Sequence, residues 1–179
     1  TENIYAFTTP GYEFSNHAWL SKVMYALVYK ISGCIGLTFF GFLLVTIAFL
    51  PIFKNVFRVK WFSYYYFLVI FGIGIMSWRF QIRPQLFSFI FFAAYMYIMT
   101  AALRNKKYFP LLIIIPLQLV WNQMHAYSLL GLFLVGAFTC TAISDRYLAD
   151  DYGEKKEVVC FLALLLVCLH TYLVMYRLD

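Results

Sequence analysis

The chain has 179 residues, 64% of them hydrophobic, 22% aromatic and only 12% charged. A soluble domain carries roughly 25% charged residues, and the apolar residues here come in long runs, so composition argues against a soluble core and for a polytopic all-α membrane protein. The net charge of +6 is explained by basic residues in short cytoplasmic loops rather than by a nucleic-acid surface.

Residues 1–16 are polar and aromatic, and Pro10-Gly11 marks a turn. The chain opens at Thr1 without a basic n-region or a cleavable signal pattern. A polytopic protein needs a segment to start insertion, so upstream sequence is expected, and 1–179 is read as one membrane domain of a longer chain. In residues 17–32, Leu20, Val23, Leu27 and Ile31 fall on one helical face, while His17, Ser21, Tyr25 and Ser32 fall on another. That pattern predicts an amphipathic helix lying in the membrane interface. A short spanning helix is the alternative, and it would invert everything that follows.

Spanning helices are predicted at 33–53, 61–78, 84–103, 108–122, 126–144 and 158–176, most of them close to the ~20 residues that a ~30 Å hydrocarbon core requires. The run 108–122 contains Pro116 and as an α-helix reaches only ~22 Å. Lys54, Arg58 and Lys60 cluster in one loop, and Arg104, Lys106 and Lys107 in another. The positive-inside rule makes that side cytoplasmic. The loop 145–157 falls on the same side. Residues 1–16, the 78–84 turn and the 121–125 turn then share the outer side. Cys34, Cys140, Cys160 and Cys168 show no paired spacing and read as small apolar fillers. His170 stands alone in an apolar helix and is expected among core side chains.

Ionisable groups at the ends of membrane helices are expensive and mark function more often than lipid-facing residues do. Arg79 and Arg83 sit on the side where basic residues are disfavoured. They either snorkel to lipid headgroups or hold a phosphate, whose oxygens a guanidinium fork matches bidentately. Trp121, Asn122 and His125 form a polar-aromatic set at a helix end. This set is either an interfacial Trp with an Asn cap and a wet His or a substrate pocket. In the pocket reading the ring stacks on sugar, the amide binds hydroxyls and the imidazole serves phosphate or acid-base work. Glu2, Glu13 and His17 are the ionisable groups of the N-terminal segment. A carboxylate there could act as a base or hold a divalent ion. No clear metal-ligand motif is present, so the metal assignment is none and any cofactor is unknown. Phosphate-binding glycine loops, GxSxG, HExxH and CxxC are all absent from the sequence.

The stretch from Thr1-Glu2-Asn3-Ile4-Tyr5 to Pro10-Gly11-Tyr12, followed by Asn16-His17-Ala18-Trp19-Leu20-Ser21, resembles a segment of bacterial polytopic proteins of the GT-C glycosyltransferase type. Arg83-Pro84-Gln85-Leu86-Phe87-Ser88 resembles that group's Arg-Pro-x-Leu-x-Ser turn, and Trp121-Asn122-Gln123-Met124-His125 resembles its Trp-x-Asn-x-His-Gly element. Ala18 stands where the group usually has Glu, Ala126 where it has Gly, and the Asn spacing is slipped. The resemblance implies a transferase of the bacterial inner membrane. It would take a sugar from a polyprenyl-phosphate donor at the outer face, with Glu2 in the place of an acidic residue. Arg79, Arg83, Trp121, Asn122, His125 and His17 would bind substrate. Membrane lipids and the lipid-linked sugar are the expected partners, with no nucleic acid. A non-enzymatic lipid or solute transporter, or an assembly subunit, is the alternative.

Overall fold

The computed structural model describes residues 18–56, 62–76, 81–147 and 155–177. They form six α-helices: α1 (Trp19–Val56), α2 (Phe62–Met76), α3 (Gln85–Asn105), α4 (Ile114–Met124), α5 (Leu129–Tyr147) and α6 (Lys155–Arg177). Two 3₁₀ turns, Phe109–Ile113 and Ala126–Ser128, lead into α4 and α5. The fold is all-helical, but the number of spans differs from the expected six. Among the described residues four helical stretches are long and apolar enough to cross a membrane: Trp19–Pro51, Gln85–Asn105, Ala126–Asp145 and Glu157–Met175. The expected span 61–78 corresponds to α2, whose 15 residues reach only ~22 Å. The expected span 108–122 corresponds to the apolar stretch Phe109–Met124, which is shorter than those four.

Residues 17–32 were expected to form a separate helix, and α1 instead begins at Trp19 and continues to Val56. The continuity is only nominal. Gly33 has φ 61° and ψ −157°, a backbone region open essentially to glycine alone. The Tyr25 and Phe40 rings, on either side of it, pack edge to face with centroids 6.2 Å apart. In a straight helix the same two residues would lie ~22 Å apart along the axis. The chain therefore bends sharply at Gly33 and folds a first arm, Trp19–Ser32, back toward the second. The break falls where the sequence changes from amphipathic to continuously apolar.

Pro116 does not interrupt a long helix. It sits in the first turn of α4 (Ile114–Met124), where a missing N–H leaves nothing unsatisfied and the fixed φ is already helical. The turn before it is 3₁₀ over Phe109–Ile113. A 3₁₀ turn rises ~2.0 Å per residue against 1.5 Å in an α-helix, so Phe109–Met124 extends to ~26 Å. At the far end of α3, Lys106 takes a left-handed conformation (φ 52°). Its N–H bonds the Leu103 carbonyl, and the Lys107 N–H bonds that of Ala102 at 3.2 Å. This closing turn satisfies carbonyls that the helix end would otherwise orphan.

The core lies where α3, α4, α5 and α6 meet, around Leu86, Phe91, Tyr95, Trp121, Val135 and Phe161. Hydroxyls within the apolar helices bond back to their own turns. Thr38 reaches the Cys34 carbonyl, Thr46 that of Phe42 and Thr139 that of Val135. In a solvent without water this is how a helix carries Ser and Thr. The core face of α6 is set by Val158, Phe161, Leu164 and Cys168. His170, expected in the core, is exposed instead. It lies two residues past Cys168, and at 100° per residue that turns it away from the packed face.

Candidate functional site at one end of the bundle

Contacts across the fold sort the helix ends into two groups. The Trp19 indole N–H donates to Gln123 Oε1. The Tyr25 hydroxyl donates to the Arg83 carbonyl at 2.7 Å, and the Trp121 indole N–H to Ser88 Oγ at 3.0 Å. The Gln123 amide reaches Met175 Sδ. The first arm of α1 thus bridges the turn before α3 and the last turn of α4, and the end of α6 joins them. At the opposite end, the Tyr108 hydroxyl meets Glu157 Oε2 at 3.3 Å. Arg104, Lys106 and Lys107 sit there, at and just beyond the end of α3.

Arg83 is exposed. Its carbonyl is fixed twice, by the Tyr25 hydroxyl and by the Leu86 N–H at 3.0 Å. Its guanidinium has no hydrogen-bond or ion-pair partner among the described residues. Pro84 opens α3 at φ −50°, ψ −30°, so the helix N-terminus, with its positive dipole end, lies directly behind Arg83.

His125 ends α4 in an extended conformation, φ −169° and ψ 148°. Its Nδ1 accepts the Tyr127 N–H at 3.0 Å, and the two rings meet edge to face at 4.3 Å. An Nδ1 that accepts leaves the proton of the neutral ring on Nε2. Desolvation in this half-buried place lowers the pKa of His125 below its ordinary value, so the ring is held neutral and offers one N–H donor.

Trp121 and Asn122 point the other way. The Trp121 ring is fully buried. It is stacked on Phe91 at 5.5 Å and packed against the edge of Tyr95 at 5.3 Å, so it presents no face to a sugar in this arrangement. Asn122 is buried beside Gln118, whose amide donates to Asn122 Oδ1 at 2.8 Å and to the Ser128 carbonyl at 3.2 Å. Gln118 Oε1 in turn accepts the Tyr95 hydroxyl at 2.5 Å. The chain of bonds fixes both amides, because flipping Asn122 would set two donors against each other. Among the described residues two buried groups, Asn122 Nδ2 and Ser128 Oγ, have no partner. The network descends from the 125–128 turn toward the middle of α3. Of its members only Asn122 stands out in the sequence. Gln118 lies one helical turn before Asn122 and so shares its face, which is the signal that could have found it.

A trough of about 750 Å³ runs along α3, lined by Gln85, Ser88 and Tyr127 at this end and by Arg104 and Asn105 at the other. Glu2, Glu13, His17 and Arg79 lie outside the described residues. Among the described residues no group of three or more His, Cys, Asp or Glu side chains could hold a metal ion. No protein-family model, curated protein or solved structure matches the chain.

Proposed function

We propose that this chain is a glycosyltransferase-like integral membrane protein that handles a polyprenyl-phosphate-linked sugar at the bundle end carrying Arg83 and His125. The observation that carries the reading is the bridging arm of α1. One segment holds Trp19 against Gln123 and Tyr25 against the Arg83 carbonyl, so two turns far apart in sequence become one surface. In this reading the end lies at the outer face of the cell membrane, because Arg104, Lys106 and Lys107 mark the other end as cytoplasmic. The first arm, Trp19–Ser32, lies in the interface above the second.

The Arg83 guanidinium is the phosphate ligand. It has no partner among the described residues, it is planar and bidentate, and the N-terminus of α3 stands behind it. His125 contributes its Nε2–H to phosphate or sugar oxygens. Glu2, or a carboxylate upstream of it, is the general base that the resemblance implies. It takes the proton of the acceptor hydroxyl as that oxygen bonds the anomeric carbon and the carbon–oxygen bond to the lipid phosphate breaks. The departing phosphate gains negative charge, which Arg83 stabilises most in a water-poor setting. Trp121, Asn122 and Gln118 support the turn from below. A non-enzymatic lipid-carrying reading draws on the trough along α3 and differs by requiring no turnover.

Arg83→Lys keeps the charge but loses the fork, and Arg83→Ala loses both. Retention of polyprenyl phosphate, followed by mass spectrometry of the protein released from detergent, is expected to weaken by about 1–3 kcal/mol in the Lys variant, the scale of charged hydrogen bonds, and by more in Ala. Helix content by circular dichroism should stay at the parent value. Parent-like retention in both variants would reduce Arg83 to a headgroup anchor and remove the site.

A further inference from the structure

The trough along α3 ends, away from the proposed sugar site, at Arg104 and Asn105. From Gln85 to Arg104 it follows ~28 Å of helix. Its concavity comes from small residues where the second arm of α1 passes α3, namely Ala48, Ala93 and Ala101, and its walls are largely apolar, with Phe92 and Met96 prominent.

We propose that this trough binds one acyl chain of an anionic phospholipid, with the lipid phosphate held by Arg104 and Asn105. The proposal is independent of the sugar-transfer reading, since Arg83 lies at the opposite end of α3. Its first support is the lining. Phe89, Phe92, Ala93, Met96 and Ala101 give largely apolar walls that fit hydrocarbon, with the polar groups Arg104 and Asn105 at the mouth.

The second support is charge complementarity. Arg104 is exposed and has no partner among the described residues, and the exposed Lys106 and Lys107 follow it. Cations at a helix C-terminus first serve the dipole, which is negative there. Three of them outweigh that partial charge and leave a positive mouth. A guanidinium matches phosphate oxygens with two parallel bonds, and the Asn105 amide adds a donor for the ester oxygens.

The third support is depth. α3 has 21 residues, a length of ~31 Å that matches the ~30 Å core, so Arg104 stands at the boundary between headgroups and hydrocarbon. A chain of that leaflet covers ~15 Å, from Arg104 past Ala101 and Met96 to about Ala93. Those are the residues that line this half of the trough.

The test uses the full chain, extracted in detergent and offered equal amounts of phosphatidylglycerol and phosphatidylcholine with the same acyl chains. Retained lipid is counted by native mass spectrometry. Phosphatidylglycerol should be retained in preference. Arg104→Gln should lower its retention at least about tenfold, the factor for a lost charged hydrogen bond, while Lys107→Gln, at a residue that does not line the trough, should lose no more than about fivefold, the factor for one basic residue near an anionic surface. Ala101→Phe, which fills the trough, should displace both lipids. If that variant fails to fold, the Arg104→Gln arm alone decides. Equal retention of the two lipids, or equal losses in Arg104→Gln and Lys107→Gln, would leave only diffuse attraction and overturn the site. So would displacement of phosphatidylglycerol by a long-chain prenyl phosphate, or a change of oligomeric mass in Ala101→Phe without a change in lipid.

Discussion

At Gly131 a side chain is absent because the buried polar network occupies the space. A Cβ there would stand 2.6 Å from Gln118 Oε1, 3.0 Å from Trp121 Cζ3 and 3.2 Å from Tyr95 Cε1. Gln118 cannot swing away without abandoning Tyr95, Asn122 and the Ser128 carbonyl. Gly131→Ala is therefore expected to destabilise the fold by about 1–3 kcal/mol through overpacking, although Ala is the better helix former by about 1 kcal/mol. Gly136 has nothing within 4 Å of its Cβ position, and Gly136→Ala should be neutral or stabilising. Denaturant unfolding followed by circular dichroism compares the two, and equal effects would show that the network does not set this packing. His125 yields a second expectation. Its folded pKa is depressed from 6.5 by desolvation, so the native turn prefers the neutral ring. Stability from this group is full above about pH 6.5 and falls as pH drops from there toward the lower folded value, because the unfolded chain takes the proton first. His125→Asn keeps a side-chain acceptor for the Tyr127 N–H and should flatten that decline. Melting temperatures between about pH 8 and 5, across the histidine range, would show it, and parallel slopes in the two proteins would refute it. The cluster Trp121, Asn122 and His125 was visible as a sequence feature, but its direction was not. Each helical step turns 100°, and α4 ends at Met124, so Trp121 and Asn122 turn inward while His125 leaves the helix. That division depends on where tertiary contacts place the buried face.

Among the helices, α1 carries the largest difference between pattern and structure. Its sequence pattern marks a change of character at residue 32, from two-faced to uniformly apolar, and the break at Gly33 falls there. Invisible in the pattern was that the two arms would fold toward one another, because this depends on Tyr25 meeting both Phe40 and Phe87, the latter at 5.3 Å. Such long-range aromatic packing leaves no periodic trace. Similarly, the short reach of the run 108–122 around Pro116 carries no sign of the 3₁₀ turn that precedes α4. The bend rests on a conformation that a Cβ strains by about 1–3 kcal/mol, although nothing lies within 4 Å of the Cβ position at Gly33. The cost of Gly33→Ala is thus one of backbone conformation and not of crowding. Spin labels at the exposed positions Leu27 and Phe39 report the separation of the arms. In Gly33→Ala the separation should lengthen or broaden, and the melting temperature should fall. A variant with both values unchanged would mean that the bend does not need glycine.

Across the whole molecule, the two bundle ends differ in chemistry. One gathers Trp19, Tyr25, Arg83, Gln123 and His125 around hydrogen bonds between elements. The other carries Arg104, Lys106 and Lys107 beside the pairing of Tyr108 with Glu157. Charge counting along the sequence already separates these ends, since it needs only the parity of crossings. Span counting does less well, because α2 and Phe109–Met124 are apolar yet shorter than the bilayer core. Their parity still matters. If α2 failed to cross, the basic cluster Lys54, Arg58 and Lys60 would lie on the side opposite Lys106 and the two clusters would disagree, although the hydrogen bonds that define each end would be unchanged. Hydrogen bonds therefore establish which residues share an end, and the basic residues assign each end to a side. Single cysteines at the exposed positions Ile82 and Lys106, in a background without the four native cysteines, test that assignment with a membrane-impermeant thiol reagent added to intact cells. Labelling is expected at position 82 and, only after permeabilisation, at position 106. The reverse pattern would place Arg83 and His125 in the cytoplasm and invert the proposed site, and labelling of both positions in intact cells would rule out α3 as a span.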